Sequence, residues 1–330
     1  MHLTIWLILD QMHRQSCHSN IGAIACQILR LAVCQIDLEN PLSTFAEKNV
    51  RGIALMIISM AFFAGTDVFV KLASGTMSPA HTTLFLMGGG GIIFAVLAKS
   101  QGEVLFSRGA FAPILLVRYV TEMMGAFGIV LALATAPLST VGAIIQATPL
   151  VVTVGAVVFL DERVSWRQWA AIAVGFCGVL LIIQPGADGF QVSVLWALVA
   201  MVGLSGRDLT TRLTPAGMAS SRLATYTMAA AMPFAIFWCL STQGSLIPAD
   251  PNWGYVVAMI GFGAVGYLLL IASIRSTAVS IVSPFRYSRL IFLLFLGVFL
   301  FEERPTPMIL LGAALIVASG IYTMWQSHRS

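Results

Sequence analysis

Long runs of apolar residues, separated by short polar turns, dominate the chain from residue 51 onward. The turns are rich in Pro, Gly, Ser and acidic residues, which interrupt regular secondary structure. Most runs reach the length of about 17 to 25 residues that a helix needs to cross a bilayer. The pattern predicts an all-α membrane protein with ten transmembrane helices, at residues 52–72, 81–98, 113–135, 139–160, 166–184, 191–212, 222–241, 253–274, 280–301 and 307–325.

The second half of this region repeats the first. A shift of 141 residues aligns Asp67 with Asp208 and Glu162 with Glu303, and no gap is needed. Matches among apolar residues arise by chance, but charged positions kept in register at helix ends do not. Each half contains five predicted helices, and this odd number makes the second copy enter the membrane from the opposite side. Such inverted repeats are found in many secondary transporters, with a binding site between the halves.

The chain therefore divides into three predicted regions. Residues 1–50 contain no run long enough to span a membrane, and we interpret them as a disordered tail or an over-long translation start. An interfacial amphipathic helix at residues 21–36 is the alternative. The two five-helix repeats then occupy residues 51–186 and 190–326.

Composition agrees with a chain that lies mostly inside the membrane. Of its residues, 58% are hydrophobic and 10% are charged, whereas a soluble domain averages about 25% charged. The net charge of +4 reflects basic residues in short loops and does not indicate nucleic-acid binding. The five cysteines have no metal-ligand spacing. There is no phosphate loop followed by Lys and no nucleophile motif, so we predict no enzyme activity, no cofactor and no metal.

The distribution of Lys and Arg predicts the orientation of the chain. With the start of the first helix on the cytoplasmic side, twelve Lys and Arg fall on that side and two on the other. Basic residues accumulate in cytoplasmic loops of membrane proteins. This bias places both termini in the cytoplasm.

Two sequence motifs link the chain to a known family. Phe-Leu-Asp-Glu-Arg and Phe-Glu-Glu-Arg close the fourth predicted helix of each half, at 159–163 and 301–304. Small residues follow each Glu nine and sixteen positions later, at Ala171, Gly178, Gly312 and Ser319. With Ala-Pro-Leu-Ser at 136–139 and Ser-Pro-Phe-Arg-Tyr at 283–287, this pattern resembles the drug/metabolite transporter superfamily, EamA type.

The resemblance covers residues 51 to 325 and implies a secondary active transporter in the bacterial inner membrane. Its pattern is similar to the branch that holds riboflavin and S-adenosylmethionine carriers, so a vitamin or a nucleoside or amino-acid derivative is the implied substrate. Alternatives are an exporter of drugs or metabolites with the same fold, a channel, and a membrane-embedded enzyme acting on lipid-linked substrates. The expected partners are a small-molecule substrate and the lipid bilayer. The chain could also form a homodimer.

Two acid–base pairs occupy equivalent positions in the repeats. Asp67 precedes Lys71 by one helical turn, and Asp208 precedes Arg212 in the same way. Oppositely charged side chains at this spacing stabilise a helix. We interpret them as gate residues or as self-neutralising pairs that keep a helix end stable in lipid.

Arg118 and Glu122 form a similar pair in the third predicted helix, but position 263 in the second half, equivalent to Glu122, is Gly. A charge present in only one half is better explained by substrate binding or proton coupling than by the fold, and a structural ion pair is the alternative. A Glu inside the membrane is a candidate functional residue by default.

The head of the ninth predicted helix carries Arg286, Tyr287 and Arg289, which have no charged counterparts in the first half. If the helix enters the membrane near residue 280, Arg289 lies about 13 Å deep. We expect Arg289 to contact the substrate, with Arg286 and Tyr287 beside it. Two arginines suit an anionic or carbonyl-rich substrate, and Tyr287 could stack on a flat ring or simply pack. The alternative is a helix that begins near Pro284, with both arginines reaching back to the interface.

Glu162 and Glu303 follow the fourth helix of each half. We predict that each carboxylate caps the N-terminus of the helix that follows it in the chain, where exposed amides attract a negative charge. Their role is then structural.

Overall fold

The computed structural model describes residues 45–105, 108–162, 164–184, 192–214, 218–277 and 279–327. Within these ranges the chain forms helices and no strand. The predicted tail lies outside the described residues up to position 44. The first helix begins at Phe45, so residues 45–50, which we had assigned to the tail, belong to that helix.

In the part of the chain that the structure describes, ten apolar helices are long enough to cross a membrane, as the hydrophobic pattern predicted. Their bounds are α1 Phe45–Ser74, α2 Pro79–Ser100, α3 Pro113–Thr135, α4 Leu138–Ile145 continued by Thr148–Leu160, α5 Trp166–Ile183, α6 Leu195–Arg212, α7 Ser220–Gln243, α8 Trp253–Ser276, α9 Val279–Val282 continued by the 3₁₀ turn Ser283–Tyr287 and by Ser288–Phe301, and α10 Pro307–Ser327.

Several helices start where the sequence supplies a capping side chain. Ser78 accepts a hydrogen bond from the amide of His81 at the start of α2. Asn252 caps α8 in the same way. Ser165 and Gln168 form a reciprocal capping box at the start of α5. These side chains bind amides that the first turn of a helix leaves unpaired.

The repeat is visible in the backbone. Asp161 and Glu302, which end α4 and α9, both adopt a left-handed conformation with φ 52° and ψ 27°. In each case the next amide donates to a carbonyl six residues back, that of Ala156 in the first half and Gly297 in the second. The turns are thus the same local structure at the 141-residue spacing, as the repeat predicted.

Helices from the two halves pack in pairs. The contacts join α1 with α8, α3 with α6, α2 with α7, α5 with α10, and α4 with α9. Exchanging the halves leaves this set of pairs unchanged, which is the property of a pseudo-twofold axis between two five-helix repeats. The small residues expected to permit close packing do so between α5 and α10: a Cβ added to Gly178 would lie 2.7 Å from the carbonyl oxygen of Gly312.

The fourth helix of each half is interrupted at equivalent positions. In α4 the break falls at Gln146 and Ala147, and in α9 a 3₁₀ turn ends at Tyr287. Pro149 and Pro284 lie next to the breaks and cannot donate a helical hydrogen bond. Backbone groups freed inside a membrane need protein partners. Broken helices of this kind form the binding sites of many transporters.

The close approach of α5 and α10 generates a test. We expect Gly178→Ala to destabilise the protein by about 1–3 kcal/mol, because the added methyl group would overlap a backbone atom of the facing helix. Gly261→Ala is the matched control, since a Cβ there has no atom within 4 Å. Melting temperatures in detergent measure both. Equal melting temperatures for the two variants would contradict the packing described.

Candidate functional site

Consecutive helices cross the membrane in opposite directions, so the charged side chains can be assigned to two faces. We call the face where α1 and α3 begin the near face, and the face where they end the far face. Charged side chains lie at three levels. One group is close to the near face, one lies deeper between α1 and α9, and one is at the far face.

Five side chains form a continuous chain of ion pairs, which we call the near-face cluster. Arg118 lies 3.7 Å from Glu122, and Glu122 lies 3.5 Å from Arg207. Arg207 binds Asp208 at 2.8 Å, and Asp208 lies 3.7 Å from Arg286. The predicted pair of Arg118 and Glu122 is confirmed as an ion pair, and it is joined to Arg286 through two α6 residues.

The members of this cluster differ in how firmly they are held. The Arg118 side chain is 7% exposed, and its Nη1 atom donates to the carbonyl oxygen of Arg207 and to the hydroxyl of Thr211. Arg207 donates to both carboxylates that it touches, those of Glu122 and Asp208. The Arg286 side chain is 43% exposed. Hydrogen bonds therefore hold the side chains of Arg118 and Arg207 in place. Within this cluster Arg286 is the accessible cation.

A separate ion pair joins the two repeats deeper in the protein. The Nη2 and Nε atoms of Arg289 donate to one Asp67 oxygen at 2.6 and 3.1 Å. The side chains are only 17% and 6% exposed, and the guanidinium lies 5.6 Å from the Phe63 ring centroid. Asp67 was predicted to pair with Lys71, but α9 brings a forked guanidinium into the reach of this buried carboxylate, and its paired donors bind more strongly.

Lys71 extends toward the far face. Its ammonium donates to the carbonyl oxygens of Ala136 and Leu133, at 2.6 and 3.4 Å, and lies 3.9 Å from the Glu303 carboxylate. Carbonyls at a helix C-terminus attract a cation, which explains why Lys71 turns away from Asp67. The equivalent Arg212 side chain lies outside the described residues, so its predicted pairing with Asp208 stays a prediction.

Glu303 links the repeats at the far face. Its carboxylate accepts hydrogen bonds from the amides of Leu138 and Ser139, at 2.5 and 2.9 Å, and from the Ser139 hydroxyl at 2.7 Å. The prediction that it caps the following helix is wrong, because it caps α4 of the other repeat. The residue before α4 is Pro137, which supplies no side-chain cap, and Thr306 contacts the first turn of α10 instead.

The corresponding prediction for Glu162 stays a prediction, although another residue supplies the side-chain cap described for the next helix. Ser165 caps the helix that follows, α5, with Gln168 completing the capping box. The Glu162 side chain is exposed at the near face, whereas the Glu303 side chain is 11% exposed. The two equivalent carboxylates therefore lie in different environments.

The structure separates Tyr287 from the arginines that flank it in sequence. Tyr287 is buried and packs on Gly320 of α10, where a Cβ would overlap its hydroxyl. Its hydroxyl has no hydrogen-bond partner among the described residues. Gln146, at the equivalent position in the first half, donates to the carbonyl oxygen of Arg286 at 3.2 Å. The sequence patterns do not single out Gln146 as a site residue, although the 141-residue shift aligns it with Tyr287.

Comparison with known proteins agrees with this architecture. Both halves match the EamA-like transporter family, at residues 50–184 and 191–325. The chain belongs to this family, within the drug/metabolite transporter superfamily, and is a multi-pass transporter of small metabolites.

Similar curated proteins carry different names. An S-adenosylmethionine uptake transporter of Rickettsia conorii is 20% identical over 85% of this chain and 95% of its own length. The pseudopaline exporter CntI of Pseudomonas aeruginosa is 26% identical over 82% and 94%. A riboflavin transporter of Rhizobium johnstonii is 25% identical over 88% and 96%. A solved crystal structure aligns with a TM-score of 0.56 at 18% identity, over 84% of this chain and 99% of that one, and it shows the fold.

The buried pair between α1 and α9 generates a second test. We expect Arg289→Leu to cost about 3–5 kcal/mol, because it leaves the Asp67 carboxylate buried without its partner. The double variant Asp67→Asn with Arg289→Gln removes both charges and should recover much of that loss. Thermal unfolding of purified protein and its level in the membrane measure the effect. A single variant as stable as the double variant would contradict a mutual dependence of the two charges.

Proposed function

We propose that this chain is a secondary active carrier that moves a small organic metabolite across the bacterial inner membrane by alternating access. The observation that carries the proposal is the contrast between two equivalent carboxylates. Glu303 is largely buried and bonded to α4 of the other repeat at the far face, while Glu162 is exposed at the near face. A carrier needs two alternative arrangements of the same contacts, one closed at each face.

The inverted repeats support this mechanism. Because α4 and α9 are equivalent, a contact that closes the far face has a geometrically related counterpart at the near face. In the conformation described, Glu303 joins the two repeats at the far face, and in the proposed mechanism this contact closes that face. The other conformation would bring Glu162 to the start of α9 in the same manner and release Glu303, by rocking of one repeat against the other.

The proposed substrate site lies between the repeats, next to the two broken helices. Arg289 meets Asp67 of the first half there, and Arg286 approaches Asp208 within the second half. The relatives named as transporters of S-adenosylmethionine, riboflavin and pseudopaline support a vitamin or a nucleoside or amino-acid derivative as the substrate. The exporter among them supports export as the alternative direction for the same fold.

Counterflow in proteoliposomes tests the proposal. Vesicles are loaded with an unlabelled candidate, such as riboflavin or S-adenosylmethionine, and the labelled compound is added outside. A carrier gives a transient, saturable accumulation of label without ATP, because exchange requires only the two conformations. A non-saturating flux proportional to concentration, as in a channel, would contradict the proposal.

The excess of Lys and Arg on the side of the membrane where α1 begins supports a cytoplasmic near face with both termini in the cytoplasm. A cysteine introduced at position 249, in the loop between α7 and α8, is then expected to react with a membrane-impermeant reagent added outside intact inner membranes. The matched control is a cysteine at position 101, in the loop between α2 and α3, which should be protected. The reverse labelling pattern would refute this orientation.

A further inference from the structure

We infer that the substrate carries an anionic oxygen group, a carboxylate or a phosphate, and that Arg286 binds this group. The inference rests on the proposed carrier function and specifies its substrate class.

The donors of Arg286 are available for a ligand. Arg289 uses Nε and Nη2 on Asp67, and Arg207 uses its guanidinium on Asp208 and Glu122. Among the described residues, Arg286 makes no side-chain hydrogen bond, and its contact with Asp208 is an ion pair at 3.7 Å. A guanidinium has five N–H donors in a planar fork that matches a carboxylate or a phosphate.

The position of Arg286 requires a polar space beside it. The residue lies seven positions after the start of α9 at Val279, which is about 10 Å along a helix. Its side chain is 43% exposed, and a guanidinium facing hydrocarbon at such depth would be strongly unfavourable. The partly exposed side chains of Glu122, Arg207 and Asp208, at 21–27%, border the same space. We therefore place a water-accessible cleft at the near-face cluster.

The charge of the cluster favours an anion. Its described side chains comprise three arginines and two carboxylates, which leaves one positive charge in excess. The deeper pair of Asp67 and Arg289 is neutral. One singly charged oxyanion bound at Arg286 would neutralise the cluster. It would also accept hydrogen bonds from the N–H groups of the arginine that has the fewest partners.

Two neighbours prepare Arg286 for this role. Gln146, at the break in the other repeat, donates to the backbone carbonyl of Arg286 at 3.2 Å, which ties the backbone of Arg286 to the first repeat. Asp208 lies near enough to attract it and too far to bind it closely. Asp208 is thus a weak competitor that an incoming oxyanion displaces, and binding there would change the contact between α6 and α9.

The test uses pairs of probes that differ in one anionic group. Riboflavin 5′-phosphate is compared with riboflavin, and S-adenosylmethionine with its decarboxylated analogue. Acetate and inorganic phosphate are tested alone at constant ionic strength. Binding to purified protein is followed by thermal stabilisation and calorimetry, because a ligand that prefers the folded state raises its melting temperature.

We expect at least one anionic probe to bind saturably, and to bind about tenfold or more tightly than its neutral or decarboxylated partner, as for a charge-assisted hydrogen bond. Arg286→Gln should abolish this difference and Arg286→Lys should retain part of it. Asp208→Asn should tighten anion binding because the competitor is removed, an effect that misfolding would not produce. Arg222→Gln is the matched control, since Arg222 pairs with Glu103 outside the cluster, at 3.3 Å.

Three outcomes would overturn the inference. They are the absence of saturable stabilisation by every oxyanion and anionic probe, equal affinity within both probe pairs, and an anion preference that survives in folded Arg286→Gln protein. Failure of the carrier function gives a different result. In that case Arg286-dependent anion binding persists, and the same probe shows no counterflow in proteoliposomes.

Discussion

The cost of a charge inside a membrane constrains this structure most strongly. An unpaired Arg or Asp in hydrocarbon costs at least about 2.5 kcal/mol. The chain carries several charged side chains within helices that cross the bilayer. They are tolerated because they pair between helices, and mostly between repeats. Arg289 reaches Asp67, Arg207 approaches Glu122, and Glu303 binds the start of α4. The same contacts that make the charges tolerable also hold the two halves together.

The pseudo-twofold arrangement sets where function can arise. Equivalent helix pairs and equivalent turns surround the axis, but the segment from Arg286 to Arg289 has no charged equivalent in α4. Asp67 and Asp208 are equivalent acids, and each faces an arginine of this one segment. The symmetric fold therefore places two equivalent acids against one arginine-containing segment that occurs in only one repeat. That asymmetry, rather than the repeat, distinguishes one substrate from another in our account.

Hydropathy and the 141-residue shift predicted ten helices in two repeats because burial in lipid imposes length and apolarity on every span. The pair of Arg118 and Glu122 was predictable for a similar reason, since its partners lie on one helix. The partners of Asp67, Lys71 and Glu303 were not. Sequence spacing identifies possible ion pairs within one helix. A residue of a distant helix can bind the same side chain more strongly, and only the packing of the helices determines which of them is in contact.

The central claim is that the far and near faces close in alternation around the broken helices. Distances between spin labels at Thr135 and Met308 on the far face, and at the equivalent Ser276 and Arg167 on the near face, test it most directly. Two populations should appear in which one distance lengthens as the other shortens, and Glu303→Gln should favour the far-open population. Single, unchanging distances at both faces, or distances that lengthen together, would contradict alternating access.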